Sequence, residues 1–241
     1  MSARWIEIDA LRGIAIVAMI LFHFLFDYNF FVGPRFDVYS GVFFWLGRVA
    51  AFLFVFVAGL SLYVRVFRRN LDGYGLIADF VSRGLFLLGI GFLITLFTLV
   101  FFPDYVIWFG VLHLLGVATM LSIPFVSRPR FSFWAGIAVV AAGIVFSQNG
   151  TWVPDWIVLF PFSFQTFDYF PLFPWFGVFL LGIAAADRFF PKGQKTRVFG
   201  WVSGRPVRLL GFLGRHSLVL YLVHQPVLVG LIWIGFRFFS S

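Results

Sequence analysis

The sequence predicts an all-α polytopic membrane protein of about seven transmembrane helices, and three observations carry that expectation. The 241 residues are 61% hydrophobic and only 12% charged, with a mean hydropathy of +0.98, whereas a soluble domain carries about 25% charged residues. The charges cluster between apolar runs, each close to the roughly 20 residues a helix needs to cross the hydrocarbon core. Lys and Arg fall in alternate connections, as they do when basic loops stay on the cytoplasmic side. A net charge of +8 would suggest nucleic acid in a soluble chain; here it reads as topology, and no nucleic-acid partner is expected.

Hydropathy places the spans at Ala10–Phe30, Gly41–Val64, Gly84–Phe102, Val106–Val126, Phe131–Ser147, Phe170–Ala186 and Leu209–Phe236. The N-terminus holds Arg4 and Arg12. Basic residues recur in the second connection at Arg65, Arg68, Arg69 and Arg83, in the fourth at Arg128 and Arg130, and in the sixth from Arg188 to Arg208. The opposite set of loops holds Arg35 alone. This asymmetry predicts a cytoplasmic N-terminus, an outer C-terminus and a multi-pass location in the cell membrane. The first apolar run continues past Leu11 without a small-residue cleavage site, so it is expected to be a retained helix and not a removed signal. One domain is expected over residues 1–241.

The outer side is acidic, with Asp27, Asp37, Asp104, Asp155 and Asp168. Depletion of positive charge explains this simply; a vestibule for a hydroxyl-rich or cationic acceptor explains it equally. The longest outer connection, 148–169, carries Trp152, Pro154, Trp156, Pro161 and Asp168, and ordered loops of that length are usually functional. Cysteine is absent, which excludes disulfides, thiolate metal sites, iron–sulfur clusters and a cysteine nucleophile.

Ionisable groups inside spans are costly and usually face a cavity or the bundle interior. The first span is the richest. Arg12 and His23 are eleven residues apart, a rotation of about 1100°, within about 20° of three full turns, so they share a face about 16 Å apart along the axis. Asp27 lies one turn beyond His23, and Asp9 three residues before Arg12. A carboxylate at that spacing can orient an imidazole and raise its basicity, which makes His23 and Asp27 the candidate catalytic pair. Arg48, His113, Arg215, His216 and His224 are the other candidates within spans. For Arg83 and Arg215, snorkelling to the interface is the structural alternative. For His113 and His216 it is a helix–helix hydrogen bond.

Two further patterns are weak. Ala58-Gly59-Leu60-Ser61-Leu62 lacks the second glycine of a serine-nucleophile elbow. Gly84, Gly89 and Gly91 lack the Lys-Ser/Thr of a phosphate loop. Packing by small residues accounts for both.

The stretch Glu7-Ile8-Asp9-Ala10-Leu11-Arg12-Gly13 through His23-Phe24 resembles the opening helix of the heparan-α-glucosaminide N-acetyltransferase catalytic-domain family, within the wider transmembrane acyltransferase superfamily. Arg48–Gly59, Gly110–Gly116 (with His113), Asp168–Gly177 and Gly214–Pro226 (with Arg215, His216 and His224) resemble further blocks of the same family, in the same order. The resemblance implies membrane acyl transfer. Acetyl-CoA would be supplied from the cytoplasm, and the acceptor would be an amino or hydroxyl group of a glycan, amino sugar or glycolipid on the outer side. Under that reading His23 with Asp27 deprotonates the acceptor, and Arg12, Arg83, Arg215 and His216 hold the phosphates of CoA. Asp9, Arg48, His113, Asp168 and His224 line the substrate pocket. No metal or haem is expected, and a homodimer is left open.

Two other classes compete. A transporter or flippase of an anionic metabolite would use the same charged stripe without chemistry; no inverted repeat is apparent, and an odd helix count fits two halves poorly. A b-type cytochrome would need paired histidines at matched depth, which His23 and His113 could supply, while His216 and His224 find no obvious partners.

Overall fold

The computed structural model describes residues 5–149, 166–194 and 204–239. Trp152, Pro154, Asp155, Trp156 and Pro161 of the long outer connection lie outside those residues, as do Arg4, Lys195 and Arg197. Every regular element among the described residues is helical. Among the described residues, six helices are long and apolar enough to cross a membrane. The chain is an all-α polytopic membrane protein.

The helices are α1 (Ile6–Phe31), α2 (Gly41–Arg69), α3 (Gly73–Phe101), α4 (Val111–Leu121), α5 (Ile123–Val126), α6 (Pro129–Asn149), α7 (Leu172–Phe189), α8 (Arg205–Arg215) and α9 (Ser217–Phe239). Their chain falls into two compact units. The first comprises residues 1–57 and 197–241, the second residues 58–196.

Two expected spans differ from the observed helices. The expected fourth span, Val106–Val126, is broken. Its helix α4 is 11 residues long, about 17 Å at 1.5 Å per residue, which is too short to cross the hydrocarbon core. The 3₁₀ turn at Pro103–Tyr105, the extended Gly110 before α4, and Pro124 in the first turn of α5 interrupt the run. The expected seventh span, Leu209–Phe236, is two helices. His216 leaves helical geometry (φ −102°, ψ 14°) and separates amphipathic α8 from apolar α9.

In the first unit, α1 packs against both α8 and α9. Its crossing with α8 is a contact of backbone on backbone. A Cβ on Gly13 would overlap the carbonyl of Leu210, and one on Gly214 would overlap the carbonyl of Asp9. Small residues allow this close approach of helices in a membrane, where dispersion contacts replace the hydrophobic drive. Higher up, Gly47 of α2 lies against the ring of Phe22. Phe31 and Val32 at the end of α1 share a cavity wall with Val229, Gly230, Ile232 and Trp233, so α1 and α9 ascend in the same direction.

In the second unit, α6 packs on α7 and α3 on α4. Glycine again sets the distance. Gly84 meets the Gly116 carbonyl across α3 and α4, and Gly136 meets the Gly177 carbonyl across α6 and α7. Buried Tyr63 donates a hydrogen bond to Asp187, tying α2 to α7. Arg65 grips Asp79 with both arms of its guanidinium, at 2.8 and 2.6 Å, and Arg69 adds a third contact at 3.2 Å.

Candidate active site

Helix α1 carries the stripe expected of it. At its lower end Asp9 is buried and accepts Arg12 at 3.5 Å, an i, i+3 pair. The Arg12 side chain is 26% exposed. At the upper end Asp27 is buried and His23 half-buried.

Helix α9 completes the upper end with His224 and Gln225. The rings of His23 and His224 stand 4.9 Å apart between centroids, tilted by 57°. Gln225 donates its side-chain amide to Asp27 Oδ1 at 3.3 Å. The expectation that Asp27 orients His23 is therefore corrected: the hydrogen-bond partner of Asp27 is Gln225, from across the helix interface, and the neighbour of His23 is a second imidazole. Two residues one turn apart on α1 meet two consecutive residues on α9.

The polar atoms of this cluster are incompletely used. His23 Nδ1, Asp27 Oδ2, His224 Nε2 and Gln225 Oε1 are all buried without a hydrogen-bond partner. Most buried polar atoms in native proteins are paired, and an unpaired one costs roughly 1–3 kcal/mol. Four together mark a place built for something else to bind. Two cavities flank the C-terminal end of α1. One of about 560 Å³ is lined by Phe26, Asn29, Arg35, Phe36, Asp37 and Tyr39. The other, of about 590 Å³, begins one turn beyond Asp27, at Phe31 and Pro226.

The remaining candidates fall elsewhere. His113, expected to line the pocket, is buried in the second unit with both ring nitrogens engaged. Nδ1 accepts the Gly110 N–H at 3.2 Å and caps α4, and Nε2 lies 3.5 Å from Thr95 Oγ1. Asp168 is a cap as well, accepting the Val111 N–H at 3.1 Å. Burial of its carboxyl pushes its pKa up to about 6, against the pull of the Val111 N–H. Arg48, also expected in the pocket, is exposed, with its guanidinium 5.0 Å from the centre of the Phe44 ring. His216 is exposed, stacked on Phe212 and bonded to the Phe212 carbonyl at 2.9 Å. Arg215 is exposed at the C-terminus of α8, and Arg83 is exposed on α3, one turn beyond Asp79.

Among the described residues, no group of three or more His, Asp or Glu side chains could hold a metal ion. The family model for heparan-alpha-glucosaminide N-acetyltransferase, catalytic, matches residues 4–226. The chain belongs to that family. Membership in the heparan-alpha-glucosaminide N-acetyltransferase catalytic family gives it a membrane acetyltransferase-like function, and the match takes in both sides of the cluster, from His23 and Asp27 to His224 and Gln225. No curated protein and no solved structure matches the chain.

Gln225 is the site residue that sequence reasoning missed. A signal for it existed: an amide directly after a histidine and before Pro226, inside an otherwise apolar run. Asp79, the centre of the Arg65 and Arg69 contacts, was likewise hidden among residues read only for their positive charge.

Proposed function

We propose that this protein transfers an acetyl group from acetyl-CoA, bound from the cytoplasmic side, to an amino or hydroxyl group of a glycan, amino sugar or glycolipid presented from the outer side of the cell membrane, with the whole chain serving one catalytic domain. The observation that carries this reading is the buried cluster of His23, Asp27, His224 and Gln225, with an unpartnered atom on each of the four. The neighbouring imidazoles of His23 and His224 together form the general base for the proton of the acceptor nucleophile as it attacks the thioester carbonyl. Asp27 accepts a remaining hydrogen of the acceptor. General-base assistance of this kind contributes roughly 10²–10⁴ in rate.

Two further features support the polarity. The charge asymmetry of the loops puts the lower end of α1 in the cytoplasm. At that lower end Arg12, with Arg215 directly after the Gly214 crossing, offers charge-assisted hydrogen bonds to phosphate oxygens, worth roughly 1.5–3 kcal/mol each. The cluster lies about 16 Å above Arg12, a reach of the order of an extended pantetheine arm.

The test is acetyl-CoA cleavage by the purified full-length protein in nanodiscs, followed as release of free thiol with a panel of amino sugars, polyols and glycolipids. Acceptor-dependent release is expected, together with at least tenfold weaker CoA binding in Arg12→Ala. Folded protein that cleaves no acetyl-CoA with any member of the panel would remove the acyl-transfer reading.

A further inference from the structure

We propose that His224 is a second proton acceptor of this site, and that the proton leaving the acceptor nucleophile goes to His224 Nε2, beside His23. The inference rests on the acyl-transfer reading above and goes beyond it by naming the receiving atom.

A neutral imidazole has one N–H and one lone pair. His224 Nδ1 lies 2.6 Å from the backbone carbonyl of Tyr221. A carbonyl only accepts, so the proton sits on Nδ1 and Nε2 carries the lone pair. That Nε2 atom is buried without a partner, in a residue only 7% exposed. It is a base held ready in one orientation. His23 Nδ1 is also unpartnered, and the described contacts of that ring are aromatic, with Phe22 and His224. Of the two imidazoles, His224 is the one whose protonation state is set in advance by the backbone.

The neighbouring atoms agree. Gln225 turns its amide N–H toward Asp27 Oδ1, which leaves Gln225 Oε1 and Asp27 Oδ2 as unpartnered acceptors. With His224 Nε2, the cluster presents three acceptor atoms, and so suits a ligand that brings more than one N–H or O–H. The titratable groups that face His224 are His23 from α1 and Tyr221 from its own helix, and Asp27 of α1 meets the neighbouring Gln225.

The step balances as follows. The lone pair of the acceptor nitrogen or oxygen attacks the thioester carbonyl carbon, and its proton passes to His224 Nε2. The new carbon–nitrogen or carbon–oxygen bond forms as the carbon–sulfur bond breaks. CoA leaves as the thiolate and takes the proton back from Nε2, so neutral His224 is restored with its proton still on Nδ1.

Two measurements on the full chain in nanodiscs test this. In His224→Asn the side-chain amide can still donate to the Tyr221 carbonyl, but the Nε2 base is gone. The expected result is a fall in kcat of about 100-fold or more, unchanged acetyl-CoA affinity, and loss of one titrating step from the pH dependence of kcat. Undiminished kcat in folded His224→Asn would overturn the proposal, because a purely structural role would be met by the amide. The second measurement needs no activity: ¹⁵N NMR of histidine-labelled protein, assigned through His224→Asn or His224→Gln, should show His224 with Nδ1 protonated and Nε2 bare near neutral pH. A proton on Nε2 there would sink the proposal even if acyl transfer is demonstrated. Wild-type protein without any transfer would instead count against the acyl-transfer reading, whichever tautomer is found.

Discussion

The molecule holds two buried histidine clusters that differ in how completely they are satisfied. In the second unit His113 spends both nitrogens on its surroundings, accepting from the Gly110 N–H and facing a Thr95 hydroxyl that itself donates to the Ile107 carbonyl at 2.6 Å. Its proton is therefore on Nε2, the opposite tautomer from His224. In the first unit each of the four polar side chains of the cluster, His23 among them, keeps an atom in reserve. Both clusters sit inside apolar helical runs and look alike as entries of polar residues in a hydropathy profile. The difference is chemical. A closed network buys rigidity for the turn before α4, whereas an open one is able to take part in a reaction.

The largest effect expected of this contrast comes from His23→Ala. Acetyl transfer should fall roughly 10²–10⁴-fold, while acetyl-CoA binding, which depends on groups about 16 Å lower on the helix, should persist. Full turnover by a folded His23→Ala protein would erase the distinction between the two clusters as regards catalysis.

His113→Ala should behave in the opposite way. It leaves the buried Gly110 N–H without its acceptor and opens a cavity against Gly91, where an added Cβ would come within 3.0 Å of the His113 ring. A loss of about 2–4 kcal/mol of stability is expected, read as a lower melting temperature in detergent. The kcat per folded molecule should stay within a few-fold of wild type. A specific loss of kcat without loss of stability would place His113 in the chemistry after all.

The smallest effect concerns Asp168. Its pKa in the folded protein is about 6, above the ordinary 3.8, because burial disfavours the carboxylate. A raised carboxyl pKa means that the folded state holds the proton more tightly than the unfolded chain does. Its contribution to stability is thus complete below about pH 4 and is lost as pH rises through about 6. Asp168→Asn keeps an acceptor for the Val111 N–H but cannot titrate, so this component of the melting-temperature profile between about pH 4 and pH 7 should vanish. An unchanged profile would assign the pH dependence to another group.

How far each cluster was legible follows from the kind of contact that builds it. The stripe of Asp9, Arg12, His23 and Asp27 could be read directly, because one regular helix obeys one period. The partnership of His23 with His224 could not, since it depends on how α9 is set against α1, and that in turn depends on the break at His216. The sequence Gly214-Arg215-His216-Ser217, a small and polar group inside an apolar run, was the available sign of the break. Likewise Pro103, Gly110 and Pro124 marked the interruptions around α4. The structural role of His113 was hidden for another reason: its first partner is a backbone N–H, which carries no residue identity, although the spacing from Gly110 to His113 is that of a helix N-cap and its third residue.

The glycine crossing of α1 and α8 has a consequence in time. Helix α1 leaves the ribosome before α2 to α7 are made, whereas its partners α8 and α9 follow all of them. Until they arrive, Asp9, His23 and Asp27 have none of the contacts they make with those helices, and a bilayer is a poor place for exposed ionisable groups. Nor can the crossing form by gradual adjustment of side chains, because Gly13 and Gly214 bring backbone onto backbone. The nascent protein therefore carries α1 without these partners while α2 to α7 are made. The backbone crossing of α1 can therefore close only after α8 has been made, which places it late in the assembly of the described helices.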